Sequence, residues 1–495
     1  MAANESTSGT DASSAADEYD VVVIGGGPAG EVAADAAIAG SDRTAIVVER
    51  ELVGGECSYW ACMPSKALLV PGEILRGAQH MGGVSANGLD VDAVFTRRNS
   101  FTHDYDDSAQ LDWAEQAGIA IARGDARLSG EREVTVASSP PHGERTLRAR
   151  QAVIVATGSA ASIPGTPGLA EALPWTSRDA TALREIPRRI AIVGGGVVAC
   201  EAATWLRDLG SEEVTLVVRG RSLLSRAEPF ARDLVADALR ERGVDVLFET
   251  DVRSVHRPDA RDTGHGRIHG GPATLDLAGG EPLVVDEILV AAGRTPHTAG
   301  LGLDGSLLDD HGYVRTDEHT TAAGEWLYAV GDANGRAPLT HMGKYQARVC
   351  GDVIAARAEG RPLDGPAFRL RENVTTQVVF TSPQVAWVGL TEREARDAGL
   401  DVVAVDSDIA VAGAALARDD FSGRARLVLD RGTRAVVGAT FAGTEVAELL
   451  HAATVAVVGT VPVDDLWHAV PAYPTVSEVW LGLLSSARDQ LRQGG

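Results

Sequence analysis

The sequence predicts an α/β fold followed by a C-terminal α+β domain. A glycine-rich pattern between a short apolar run and an Ala-rich helical stretch occurs twice, at Gly25 and again at Gly194. Gly accounts for 55 of 495 residues while aromatics make up 5%, a balance that suits many tight βα turns better than an all-β chain. From about Phe368 the βα rhythm gives way to alternating apolar stretches such as "VTTQVVFTSPQVAWVGLT". A chain of this length is too long for one core, so two or three domains are expected.

The first seventeen residues are polar and acidic, with no apolar core of a secretory signal, and read as a solvated, disordered tail. "YDVVVIGGGPAGEVAADAAIAG" then runs from an apolar strand through Gly25-x-Gly27-x-x-Gly30 into a helix, and "AIVVE" closes a βαβ unit at Glu49. Glycines there let the backbone approach a pyrophosphate at a helix N-terminus. Glu49 falls where a carboxylate binds the hydroxyls of an adenosine ribose.

The pattern returns in "RIAIVGGGVVACEAATWLRDLG" as Gly194-x-Gly196-x-x-Ala199, followed by the strand "VTLVVRGR". The position matching Glu49 falls on or beside Arg219, with Arg221 two residues on. A carboxylate would repel a 2′-phosphate and a guanidinium can bind one, so the second site is expected to prefer NADP(H). Two Rossmann-like dinucleotide-binding domains imply electron traffic between two carriers, a flavin that stays bound and a nicotinamide that comes and goes.

The intervening "GGECSYWACMPSK" holds Cys57 and Cys62, two of only four cysteines. Zinc wants a second close pair, and none exists. A static staple is at odds with a reducing cytoplasm, the expected compartment for so few cysteines. A redox relay and a pair of inert thiols remain. Bridged cysteines need Cα atoms about 4.4–6.8 Å apart. Five steps of regular helix separate them by about 7.5 Å along the axis. A bridge therefore requires Cys57 in a distorted turn, with the helix beginning near Cys62 and its dipole lowering the thiolate pKa.

Downstream, "QAVIVATGSAASIPG" reads as the exit from the first domain near residue 160, and "DEILVAAGRTP" closes an inserted domain near 294. "RPDARDTGHGRIHGG" reads as a surface loop, its His265 and His269 lacking further ligand types for a metal. "EWLYAVGDANG" brings Asp332 to a strand C-terminus, where open α/β sheets bind ligands. The next segment reads as a helix whose N-terminus, at His341 to Gly343, favours negative charge. The expected domains are residues 18–160 with 295–366, residues 161–294, and residues 367–495.

Net charge is −24, a field that repels nucleic acid and anionic lipid, and no apolar run is long enough to span a membrane. Neither class of partner is expected.

GG-x-C-x4-C-x-P-S-K after a glycine fingerprint, with "ATGS", "AAGRTPHT", "AVGDANG" and "VFTSPQVAWVGLTE" following in order, resembles the flavin- and pyridine nucleotide-dependent disulfide oxidoreductases. That family includes glutathione reductase, dihydrolipoamide dehydrogenase and mercuric reductase. The likeness runs from about residue 18 to 485. It implies an FAD-binding domain over 18–160 and 295–366, an NAD(P)-binding domain over 161–294, and a C-terminal domain that builds a homodimer. Cys62 would contact the flavin and form a charge-transfer thiolate, and Cys57 would exchange with a small-molecule substrate. Lys66 and Glu201 would pair near the ring position where hydride arrives. Gly158 and Asp332 would line the flavin site, and the helix at His341 would stabilise the reduced flavin.

One departure is informative. The family's disulfide reductases end in His-Pro-Thr with a nearby Glu; here "HAVPAYPTVSEVW" keeps Pro474, Thr475 and Glu478 but puts Tyr473 at the histidine. Tyr titrates near 10 against about 6.5 for His, so it is a poor base at neutral pH. Mercuric reductases carry Tyr there but also a C-terminal cysteine pair, and nothing after Cys350 here is Cys. His468, five residues upstream, is the other candidate base. Tyr59 and Trp60 are bulkier than the family pattern and are expected either to narrow the mouth beside Cys57 or to fill core. The resulting expectation is NADPH oxidation through FAD and a Cys57–Cys62 disulfide, ending on a small disulfide, a thiophilic metal ion or a quinone. The alternatives are a dithiol oxidase or dihydrolipoyl dehydrogenase using NAD, and a low-turnover redox-sensing flavoprotein.

Overall fold

The computed structural model describes residues 17–138 and 143–493, and Gln493 by its backbone alone. The tail expected over residues 1–17 lies outside the described residues except for Asp17, which begins the first strand. The chain divides into two compact units.

The first unit takes residues 17–55, 107–159 and 296–370. Across its sheet the strands run Thr321–Ala323, Leu327–Ala329, Glu144–Val155, Asp17–Ile24, Ala45–Glu49 and Ile119–Arg123, parallel except at the first pair. The antiparallel strands Asp125–Gly130 and Glu133–Ala137 extend from Glu144–Val155. Val21, Val22 and Val23 are all fully buried. A strand covered on both faces reads as a continuous apolar run rather than an alternating one. The helices Pro28–Ile38 and Thr340–Ala358 pack on each other through small residues. A Cβ on Gly351 would lie 2.4 Å from the Ala36 Cβ, so any larger residue there would push the helices apart.

The second unit takes residues 56–106, 160–295 and 371–493. A parallel sheet orders Val244–Leu247, Glu213–Val217, Arg189–Val193 and Glu287–Val290, followed by the helices Val197–Leu209 and Pro229–Glu241 on the chain between its strands. An antiparallel sheet of Val252–His256, Ala273–Leu277 and Leu283–Val285 accompanies it. After residue 375 five antiparallel strands form the order Thr376–Val379, Gln384–Gly389, Val436–Gly443, Gly423–Asp430, Val402–Asp408. The helices Leu450–Val458 and Val479–Gln493 pack against that sheet around Phe441, Leu427 and Leu483. The α/β-then-α+β expectation is met. Among the described residues, no helix is long and apolar enough to cross a membrane.

The 257–271 segment is the turn-rich loop expected of it, mostly exposed or half-buried, but Arg257 and His269 within it are buried. Arg257 and Glu287 form an ion pair at 2.9 Å with both side chains fully buried. Arg257 also donates to the carbonyls of Ala172, Gly271 and Asp286, and Glu287 accepts from the amides of His269 and Ile288. His269 is buried with Nδ1 2.7 Å from the Leu173 carbonyl; a carbonyl only accepts, so that nitrogen carries the proton. His265 Nδ1 contacts Asp179 at 2.9 Å. Turn-rich sequence here hides a polar network in which the charges satisfy the buried backbone. Among the described residues no cluster of three His, Cys, Asp or Glu side chains is placed to hold a metal.

Candidate functional site

In the first unit, Gly25 has φ +108° and a Cβ there would lie 2.3 Å from the Ala156 carbonyl oxygen. A Cβ on Gly30 would lie 1.9 Å from the Gly25 carbonyl oxygen. Neither position accepts a side chain. Gly27 is the extended N-cap of the helix that opens at Pro28, so free amides face the loop. Glu49 ends its strand with Oε2 accepting from the Gly26 amide at 2.7 Å and Oε1 from the Glu51 amide at 2.7 Å. A cavity of about 270 Å³ lies against Gly25, Glu49, Asp125, Thr157 and His297. Gly158 has φ +70° and its carbonyl accepts from the His297 amide. Asp332, in the turn after Leu327–Ala329, accepts from the Ser159 hydroxyl. Gln346 holds that turn, accepting from the Gly331 amide at 2.8 Å and Asn334 Nδ2 at 2.9 Å. His341 is exposed in the first turn of Thr340–Ala358.

Glu31, one residue past the loop, was not singled out by sequence. Its Oε1 is buried with no hydrogen-bond partner among the described residues. Burial pushes its pKa from 4.5 up to about 7, with Lys344 opposing and Glu49 reinforcing the rise. A folded-state pKa above the unfolded one contributes stability below the unfolded value that is lost as pH rises through the folded value. Glu31→Gln is therefore expected to match the wild-type stability of the flavin-free protein below about pH 4.5 and exceed it above pH 7 by on the order of 3 kcal/mol, with a correspondingly higher Tm. Thermal melts across that window measure it; a constant offset at all pH values contradicts it.

In the second unit, Gly194 has φ +138° and a Cβ would lie 2.3 Å from the Ala291 carbonyl oxygen, repeating the Gly25 arrangement. Gly196 is the N-cap of Val197–Leu209. A cavity of about 630 Å³ is lined by the 194–196 loop together with Arg219, Ser222, Thr250, Asp251 and Arg294. Strand register identifies the counterpart of Glu49. Ile24 pairs with Val48 as Val193 pairs with Val217, so Glu49 corresponds to Val218. Gly26 faces the Glu49 side chain and Gly195 faces that of Val218, which supports the same equivalence. Arg219 is one position beyond. The two arginines part company: Arg219 borders the cavity, whereas Arg221 points out to an exposed ion pair with Glu249 at 2.8 Å and is not among the lining residues.

Cys57 lies in a short helical turn, Gly55–Tyr59, and Cys62 opens the helix Cys62–Gln79. Between them the helix breaks at Ala61, with φ −132° and ψ −93°. The expected distortion is there, and an 18-residue helix begins at the second cysteine. Both cysteines are partly exposed, whereas Cys200 and Cys350 are fully buried. Burial pushes the Cys200 thiol far up and the Cys350 thiol to about 12, which leaves them inert. One turn into the helix, Lys66 Nζ meets Glu201 Oε2 at 2.8 Å. Glu201 is buried and its other oxygen accepts from the Phe380 amide at 2.9 Å. The Phe380 ring lies 4.9 Å from Lys66 Nζ. Tyr59 and Trp60 are buried and fill core.

At the C-terminal end, Tyr473 is 79% exposed, and Val470 and His468 are exposed beside it. Glu478 accepts from the Thr475 amide at 3.3 Å and caps the turn before the last helix.

Residues 19–348 match the family model described as pyridine nucleotide-disulphide oxidoreductase, and residues 375–483 match that family's dimerisation domain. A mercuric reductase from Streptomyces lividans is 32% identical over 468 residues, covering 93% of this chain and 94% of that protein. A dihydrolipoyl dehydrogenase from Chlorobaculum tepidum is 32% identical over 470 residues, covering 93% and 95%. A Cu(II) complex of the HOCl-induced flavoprotein disulfide reductase RclA from Escherichia coli superposes with a TM-score of 0.79 at 23% identity, covering 95% of this chain and 99% of that one. The family uses FAD and a pyridine nucleotide, and two side-chain-free glycine loops, each against a cavity, fit two such dinucleotides. By the extent of these matches, the chain belongs to the pyridine nucleotide-disulphide oxidoreductases.

Proposed function

We propose that this protein is an FAD-dependent NADPH oxidoreductase that works through a Cys57–Cys62 disulfide and delivers electrons to a small disulfide, a thiophilic metal ion or a quinone. The observation that carries this reading is the cysteine turn: partly exposed sulfurs on either side of a helix break, with Lys66 on the first turn beyond, paired to the buried Glu201. FAD, once bound, accepts a hydride from the nicotinamide and supplies the electron pair to sulfur. The chain's own residues do the rest. Gly25, Gly27 and Gly30 leave backbone amides for a pyrophosphate, Glu49 meets the ribose, and Gly158, Asp332 and the helix at His341 line the remainder of the FAD site. Lys66, fixed by Glu201, presents a positive charge where hydride is delivered. Cys62, at the helix N-terminus where the dipole favours a thiolate, takes the flavin-proximal role, and Cys57 exchanges with the acceptor. The expected domain limits, 18–160 with 295–366, 161–294 and 367–495, assign these roles to FAD-binding, nucleotide-binding and dimerisation domains.

NADPH is favoured over NADH because Val218 stands where a ribose-binding carboxylate would repel a 2′-phosphate, while Arg219 borders the cavity. Arg221, turned toward Glu249, supports that preference less than the sequence suggested. Arg219→Ala is expected to raise KM for NADPH about tenfold with little change for NADH, as loss of one charge-assisted phosphate contact requires. Steady-state kinetics with both nucleotides check this, and an equal effect on both would remove the 2′-phosphate assignment.

The exposed Trp467, Val470 and Tyr473 lie in the segment matching the dimerisation domain, an apolar surface that supports a homodimer whose partner completes each site. Tyr473 and Glu478 then stand at the acceptor end, and a cytoplasmic setting agrees with the low cysteine content. A second reading, NAD-linked dihydrolipoyl dehydrogenase, is favoured by the 32% identity to such an enzyme. The two separate on one variant. If lipoamide chemistry is native, Tyr473→His speeds dithiol-dependent NAD reduction. If NADPH oxidation is native, a panel of disulfide, metal and quinone acceptors is turned over faster than lipoamide.

A further inference from the structure

The residue before the first cysteine is Glu56, and its surroundings carry an inference of their own. Arg178 Nε and Nη2 both reach Glu56 Oε1, at 2.6 and 2.5 Å. The same guanidinium lies 4.1 Å from the ring centroid of Trp60, which also stacks on Tyr105 at 5.7 Å and 30°. Glu56 and Trp60 are one helical turn apart, and the Trp60 amide donates to the Glu56 carbonyl at 2.8 Å. Cys57 lies between them. Thr181, three residues after Arg178, donates its hydroxyl to the Trp60 carbonyl at 2.9 Å. The short helix Ser177–Thr181 is itself fixed by a capping box between Thr176 and Asp179. Ser177 borders the 630 Å³ cavity, as does Arg294, whose guanidinium comes within 4.0 Å of the second Glu56 oxygen.

We propose that Arg178 is a positioning residue for the redox turn, gripping the residues on both sides of Cys57 from the short helix whose Ser177 borders the nucleotide cavity; this rests on the reading that Cys57 and Cys62 form a redox pair. A turn held at both ends has little freedom left to lose when the sulfurs join across the break at Ala61. Its disulfide therefore closes at a higher effective concentration. Arg178 is suited to the task because one planar guanidinium can pair with a carboxylate and lie on an indole at once, which an ammonium does less well.

The test is a redox titration of the holoenzyme in glutathione buffers, with acid quench, alkylation and mass spectrometry of the Cys57 and Cys62 peptides. Closing the bridge oxidises the two thiols and reduces one glutathione disulfide to two glutathiones. Arg178→Met is expected to lower that equilibrium constant about tenfold, a shift of about 30 mV toward a more oxidising couple. Arg178→Lys is expected to recover part of the loss. A merely structural role would lower thermal stability and leave the constant alone, so a constant within twofold of wild type in Arg178→Met overturns the proposal. Should Arg178→Met fail to fold, Arg178→Lys and Thr181→Val carry the comparison: a threefold or greater fall in either supports the clamp, and wild-type values in both overturn it. A wild type that forms no Cys57–Cys62 bridge at any glutathione ratio defeats the functional reading, and the clamp with it. A wild-type bridge with unchanged variants defeats the clamp alone.

Discussion

Cys57→Ser and Cys62→Ser are each expected to lower NADPH-dependent reduction of disulfide acceptors by at least about a thousandfold, because a hydroxyl can neither close the bridge nor carry the electron pair outward. The loss should fall on transfer to the acceptor and not on cofactor retention. Neither change touches the glycine loop, Glu49 or Asp332, which hold the flavin nucleotide in this reading. Both variants should therefore purify with the wild-type flavin content. The two should differ in what remains. With Cys57 gone, Cys62 stays at the helix N-terminus, where its thiolate is stabilised; with Cys62 gone, the remaining Cys57 sits in the short turn before the break at Ala61, off that helix N-terminus. Comparing the pH dependence of alkylation of the remaining thiol in the two reduced variants resolves them. Cys57→Ser should show the lower thiol pKa, and equal values would remove the role given to the helix dipole.

The largest expected effect on stability lies away from the site. Glu287→Ala leaves Arg257 fully buried with its charge unanswered, and it also strips the acceptor from the amides of His269 and Ile288. Breaking a buried pair by removing one partner costs about 3–5 kcal/mol. Urea titration of the intact protein should show an unfolding free energy lower by that amount, with a lower midpoint. Replacing both partners by apolar residues should cost less than either single change, since no buried charge is then stranded. If Glu287→Ala unfolds at the wild-type midpoint, the pair is not the stabilising centre of the 257–271 segment.

The parts of this protein that were legible in the sequence are the local ones. Gly25, Gly27 and Gly30 announce themselves because the backbone conformation and close approach they permit are set within six residues. The cysteine turn is legible for the same reason: five residues cannot span the pair in regular helix, and the break at Ala61 answers that requirement. The alternation after Phe368 shows a sheet because the pleat has a period of two. Long-range partners were not legible. Arg178 meets Glu56 across 122 positions, and Phe380 meets Glu201 across 179, with nothing in the local pattern to mark them. The sequence places the Glu49 counterpart on or beside Arg219, and strand register decides between the two in favour of its neighbour Val218. Arg221 illustrates the same limit, since proximity in sequence to Arg219 does not say which way a long side chain turns. Turn-forming composition marks the 257–271 loop but not the buried Arg257 and His269 within it, because Gly, Asp and His serve equally well in a solvated loop and in a segment that wraps a buried charge. Tyr59 and Trp60 stood open between mouth and core, and burial places them in the core.

One measurement reaches the central claim most directly. Oxidised holoenzyme is treated anaerobically with one equivalent of NADPH, quenched in acid, alkylated under denaturing conditions and analysed by mass spectrometry. The expected result is that Cys57 and Cys62 escape labelling before NADPH and are both labelled after it, in proportion to the nucleotide oxidised, while Cys200 and Cys350 are labelled throughout. Cysteines 57 and 62 labelled to the same extent before and after complete NADPH oxidation would contradict the account.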